Sequence, residues 1–171
     1  RSDRFLRPVR WLVVLYGDQV VPVSLFGLEA GRETRGHRIH AAGAHAIERA
    51  GDYERVLRQA FVVADYDQRR KRIAEQVRAC AESAGLATQA ESALLDEVTG
   101  LVEWPVAVVG SFDEGFLEVP AEALISSMRE HQKSFPLFSA DGELAASFIT
   151  VANIESEQPE LMIHGFERVI R

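Results

Sequence analysis

The stretch from Trp104 to Phe112 constrains the fold of this chain more than any other. It is an apolar run of strand length, which reads as a central strand covered on both faces. Pro105 is tolerated because it stands near the start. The rest of the sequence supplies helices to cover such a strand. Asp65 or Asp67 caps a helix running to about Ala84, with Ile73, Val77, Cys80, Ala81 and Ala84 on one face. Gly85 stops it. A second helix is predicted from about Glu91 to Val102, with Leu94, Leu95, Val98, Leu101 and Val102 as its stripe. Pro120 opens a third in the favoured first position, and Ala121, Leu124, Ile125 and Met128 are its buried face. Ser134 to Phe138, Ala140-Asp141-Gly142 and Leu144 to Ala152 read as strand, turn and strand. Leu161 to Arg171 reads as a last helix.

Upstream, the apolar runs Val9 to Tyr16 and Val20 to Leu25 read as a hairpin across Gly17-Asp18-Gln19. Pro22 puts the second strand at an edge or breaks it. Gly27 to Gly43 has no clean period and reads as an ordered loop with short strand pieces. Ala44 to Ala60 is predicted helical in two pieces, broken near Gly51-Asp52, with Asp52 as the N-cap of the second. Phe61 to Ala64 is expected as a short buried strand. The alternation implies a mixed β-sheet with packed helices, α/β or α+β. We expect a single domain over 1–171, with a following helical region starting at about 159–171. The start, Arg1-Ser2-Asp3-Arg4, has neither an initiator Met nor a signal-peptide pattern, so the chain is read as cut from a longer protein.

Charge is unevenly spread. Residues 1–40 hold seven Arg and four acids, whereas residues 91–171 hold four basic and fifteen acidic residues. The first part can approach phosphate, and the second repels it except around Arg129, His131 and Lys133. No apolar run reaches membrane-spanning length. The single cysteine, Cys80, excludes an internal disulfide or a multi-cysteine zinc site and suits a reducing cytoplasm. On the apolar face of its helix it is an inert thiol.

Three basic groups are candidate contacts. Arg32, Arg35, His37, Arg38 and His40 lie in the glycine-bearing loop, where phosphate contact competes with pairing to Glu29 and Glu33. His37 and His40 lack a third ligand fixed by spacing, so metal binding is not expected. Arg129, His131 and Lys133 end a predicted helix, where cations also favour the helix C-terminus electrostatically. Asp67-Gln68-Arg69-Arg70-Lys71-Arg72 suggests RNA contact, yet it falls on the polar side of an amphipathic helix where solvation suffices. Trp11, Trp104, Phe112 and Phe116 stand in apolar runs and are assigned to core packing rather than base stacking. No phosphate-binding glycine loop and no nucleophilic triad is legible.

A colinear set of motifs goes further. It comprises Phe5-x-Arg7-Pro8-Val9-x-Trp11-Leu12, Thr34-Arg35-Gly36-His37-Arg38, Leu101-Val102-Glu103-Trp104-Pro105-Val106 and Gly110-Ser111-Phe112. It continues with Pro120-x-Glu122-Ala123-Leu124-Ile125, Met128-Arg129-x-His131-Gln132-Lys133, Phe148-Ile149-x-Val151-x-Asn153-Ile154 and Gly165-x-Glu167-Arg168-Val169. Together these resemble the beta subunit of bacterial heterotetrameric glycyl-tRNA synthetase over nearly the whole chain. Phe166, Ser134 and Ala152 depart from that pattern, which has Asn, an aromatic and Ser there.

The resemblance implies a cytoplasmic ligase that charges tRNA with glycine. ATP and Mg would be held by the alpha subunit, so no catalytic, cofactor or metal residue is expected in this chain. Its partners would be the alpha subunit, tRNA(Gly) and the remaining domains of the beta subunit. The resemblance also implies a fold like the editing-type domain of the phenylalanyl-tRNA synthetase beta chain, an analogy that carries no activity across. Three roles follow: tRNA engagement or subunit and domain organisation, hydrolytic editing through a pocket lined by His37, His131 or Lys133, or a purely structural docking scaffold.

Overall fold

Asp65 opens the longest described helix of the computed structural model, which describes residues 8–170, with side chains to 167. Its carboxylate accepts the Gln68 N–H at 2.8 Å, so it is the N-cap, and α2 (Tyr66–Ser83) follows. The chain divides into two compact units, Arg1–Ala64 and Asp65–Arg171. Each is described by itself.

In the first unit strands are only two to four residues long. Leu12–Val13 (β1) pairs in parallel with Leu28–Gly31 (β5), which also pairs antiparallel with Ser24–Leu25 (β4). The expected hairpin is confined to Leu15–Tyr16 (β2) and Gln19–Val20 (β3), and the second strand is interrupted around Pro22. Glu33–Arg35 (β6) pairs antiparallel with Ala44–Ala46 (β7). That corrects the helix expected from Ala44: pairing Thr34 with His45 overrides the helical preference of alanine. Only Tyr53–Gln59 (α1) is helical there, after a short 3-10 turn. Asp52 makes no cap bond; its carboxylate binds Arg55 at 3.0 Å instead. Phe61 to Ala64 joins no sheet and begins at a turn where Phe61 has φ +57°. The markers Phe5 and Arg7 lie outside the described residues.

The second unit is built on one antiparallel sheet. Its elements after α2 are Ala87–Thr88 (β8), Ser92–Leu101 (α3), Val106–Ser111 (β9), Ala121–Glu130 (α4), Phe135–Phe138 (β10), Leu144–Ala152 (β11) and Pro159–Ile170 (α5). Strand order is β8-β10-β11-β9, so the apolar run Val106–Ser111 is an edge strand, not a central one. Two of its residues, Ala107 and Val109, face an apolar cluster. Ala107 and Val109 join Ile149, Phe135 and Leu137 against Ile73, Val77, Leu94 and Val98 of α2 and α3. Phe148, one residue from Ile149, points the other way, to Met128 and Leu124 of α4 and Phe166 of α5. Helices therefore cover both faces. Phe166, one of the departures from the family pattern, is an apolar contact here.

The outer edge of β9 is closed by side chains. Gln76 of α2 donates to Pro105 O at 3.0 Å and accepts from Ala107 N at 2.8 Å. Glu167 of α5 accepts from Ser111 N at 3.0 Å, and that N–H holds its carboxyl below the ordinary range. These bonds occupy groups that would otherwise invite another strand. Several helix-face assignments change. Ala84 and Ala121 are exposed, and Leu101 is 54% exposed, because each lies at a helix end beyond its covering element. Pro120 is the N-cap of α4, one position before the place expected. Burial pushes the Cys80 thiol up, as its inert reading requires.

Candidate functional site

The Thr34-Arg35-Gly36-His37-Arg38 segment leaves β6 and turns sharply. Its alternate residues are held inside. Thr34 is buried, and His37 is 2% exposed. The His37 Nδ1 accepts the N–H groups of Ile39 and His40 at 3.3 and 3.2 Å. Its ring packs on His40 at 4.8 Å, and His40 packs on Phe61 at 4.8 Å. His37 also ties its backbone to α1 through a bond from its N–H to Ala60 O at 2.8 Å. His37 is therefore the pin of this turn and presents no face to a ligand. Gly36 lets the turn close against Ala60 and Ala41.

Arg32 is also committed: it binds Glu48 at 3.2 Å and donates to Asp18 O at 3.0 Å. Arg35 and Arg38 are exposed and make no ion pair among the described residues. The structure thus divides the five loop candidates. Arg32, His37 and His40 build the loop, and Arg35 and Arg38 are presented by it.

The second group is bound into its own unit. Arg129 reaches Glu91 at 2.7 Å and Lys133 reaches Glu97 at 2.8 Å, so both tie the end of α4 to α3. Lys133 has φ +53°. His131 is exposed at the C-cap of α4. A groove of about 560 Å³ runs beside these pairs, lined also by Glu122, Ser126 and Glu130. Acids surround its cations, which opposes phosphate entry.

The third group is likewise satisfied internally. Arg69 donates to Thr99 O at 3.0 Å, and Arg70 pairs with Asp96 while donating to Ser92 at 3.0 Å. The hydrogen bond between them raises the Arg70 pKa and holds the Asp96 carboxyl below its ordinary range. Arg72 lies 4.2 Å over the Trp104 ring. Trp104 is half-buried rather than core, and its indole N–H donates to Glu155 at 2.7 Å. Trp11, also assigned to the core, is 44% exposed, whereas Phe112 and Phe116 do pack in the apolar cluster.

One cluster escaped the sequence reading. Asn153 Oδ1 accepts from Glu103 N and Trp104 N at 2.7 and 2.9 Å, joining two of the motifs quoted above. A single Asn after a strand gives no signal of partners fifty residues away. Replacing Asn153 by alanine leaves two N–H groups without this acceptor. The expected loss is about 1–2 kcal/mol, read by denaturant unfolding, and an unchanged midpoint would reject the clamp.

Among the described residues no group of three or more His, Cys, Asp or Glu is placed to hold a metal ion, and no helix is long and apolar enough to cross a membrane. The family model described as glycyl-tRNA synthetase beta subunit matches residues 1–171. Relatives called glycine–tRNA ligase beta subunit include one from Chromohalobacter salexigens, 58% identical over 98% of this chain and 24% of its own length. Those from Stutzerimonas stutzeri and Ectopseudomonas mendocina are 48% and 49% identical over the whole chain and 25% of theirs. The chain thus spans about a quarter of the length of the curated relatives it matches.

Proposed function

Because this chain belongs to the glycyl-tRNA synthetase beta subunit family, we propose that it serves a cytoplasmic glycine–tRNA ligase as a part that engages tRNA(Gly) and organises neighbouring domains. Its partners in that role are the alpha subunit and the remaining domains of the beta subunit. ATP and Mg belong to the alpha subunit, and no catalytic step is assigned to this chain. The fold reading extends to the editing-type domain of the phenylalanyl-tRNA synthetase beta chain, used here as a scaffold without its chemistry.

The observation that carries the tRNA reading is the pinned loop. Gly36 and His37 fix the turn, so Arg35 and Arg38 are held out on a rigid support. An exposed pair of guanidinium groups on a pinned backbone suits phosphate, because each planar fork matches the oxygens of a phosphate. The acidic second unit suits organisation instead, with Arg129, Arg70 and Lys133 spent on Glu91, Asp96 and Glu97.

The test is tRNA binding by the complete ligase carrying Arg35→Ala with Arg38→Ala. Affinity is expected to fall most at low salt. The slope of log affinity against log salt should shrink by about 1.5, the share of two phosphate contacts. An unchanged affinity and slope would sink the assignment.

A further inference from the structure

Trp11 and Tyr53, 44% and 42% exposed, line one recess of about 330 Å³ in the first unit. Its floor includes Thr34 and Ile47, both buried, and its walls include Leu12, Val13 and Leu15. A large indole and a phenol left in water beside an apolar floor are an unfilled contact surface. A second recess adjoins the first, sharing Ala50 and Tyr53, and is lined by Arg55 and Arg58 with a single acid, Glu54. The Arg55 side chain is 59% exposed and keeps its bond to Asp52 at the α1 start.

We propose that this pair of recesses is a site for an unpaired nucleobase of RNA, with Trp11 and Tyr53 contacting the base and Arg55 and Arg58 attracting the adjoining phosphate.

Size argues for a base over a protein helix. A helix with its side chains is about 10–12 Å across and needs an elongated groove, whereas this recess is small and bounded by two aromatic side chains. Composition argues the same way. Aromatic faces beside cations are the arrangement that binds single-stranded nucleic acid without reading its sequence. An apolar peptide side chain would use the floor but would gain nothing from the arginines.

The site rests on the tRNA-engagement reading above, but the salt signature of its aromatic contact differs from that of the Arg35–Arg38 loop. Stacking carries no counterion release, so its loss weakens binding equally at every salt concentration. The experiment measures tRNA binding by the complete ligase across a salt series for Trp11→Ala, Tyr53→Ala and Trp11→Phe. The alanine variants are expected to bind about tenfold more weakly with an unchanged slope. Trp11→Phe, which keeps an aromatic face, should recover most of the affinity. Should Trp11→Ala fail to fold, Tyr53→Ala and Trp11→Phe still decide the matter. Wild-type affinity in Tyr53→Ala overturns the site. So does a Trp11→Phe variant that folds yet binds as weakly as the alanine variants, or an alanine variant that loosens subunit assembly and leaves RNA affinity unchanged. If the alanine variants bind normally while Arg35→Ala with Arg38→Ala does not, the recess fails and the loop stands. If all bind normally, both readings fail.

Discussion

Alanine at Gly36 is expected to destabilise the first unit by about 3 kcal/mol, at the upper end of overpacking costs. The added Cβ would stand 2.6 Å from the Ala60 Cβ, 2.8 Å from Ala41 O and 2.8 Å from His45 Nε2. None of these neighbours yields easily. Ala60 ends α1, and its carbonyl accepts the His37 N–H at 2.8 Å. Ala41 O is backbone and is itself bonded to the His45 ring at 3.1 Å. Relief therefore requires parting the loop from α1. Hydrogen exchange of the amides of Ile39, His40 and Ala41 reads this directly, since those N–H groups bond to His37. They should lose protection in Gly36→Ala and keep it in Arg35→Ala, whose side chain is exposed. Equal protection in both variants would mean that the glycine is not needed for the close approach.

The same loop shows what a sequence can and cannot disclose. Its glycine and its arginines were visible, but which cations were presented and which were bound was not. Arg70 finds Asp96, Lys133 finds Glu97 and Arg129 finds Glu91 across 26 to 38 positions of chain, and no local pattern records such pairings. Helix α2 was legible because its signals are local: the Asp65 cap, the apolar period and Gly85 at φ +68°. Its Ala84 was misplaced because helical periodicity continues past the point where covering elements end. The apolar run Val106–Ser111 was correctly a strand, yet its position at the edge was hidden. Apolar patterning reports what covers the faces of a strand and says nothing of its hydrogen-bonded neighbours. In the first unit, strands of two or three residues are too short to show a period, so the alanine-rich β7 reads as helix in the sequence. Trp11 was assigned to the core for its apolar neighbours, and only the fold reveals that it lines an open recess.

Phe148→Ala is expected to cost about 4 kcal/mol, and its coupling to Gly110 tests the sheet register itself. The ring is 1% exposed and packs with Met128, Phe112 and Leu124. The β9–β11 ladder pairs Phe148 with Gly110, and a Cβ at Gly110 would lie 2.5 Å from the ring's Cζ. The ring thus occupies the space that the glycine leaves, and neither residue is independent of the other. Gly110→Ala alone should cost about 2–3 kcal/mol, because a ring boxed in by three apolar side chains has little freedom to retreat. In the Phe148→Ala background the same substitution meets no ring. It should be close to neutral there, or slightly stabilising, since glycine weakens a strand interior. Denaturant unfolding of the four proteins closes the cycle, with an expected coupling of about 2–3 kcal/mol. Additive costs would show that Phe148 does not lie over Gly110. They would also remove the physical reason for finding Gly110-Ser111-Phe112 and Phe148-Ile149 together among the motifs that mark this family. A large coupling would instead establish that these two motifs are a single packing unit, one that sets the register of the β9 edge and so the placement of Ser111 against Glu167.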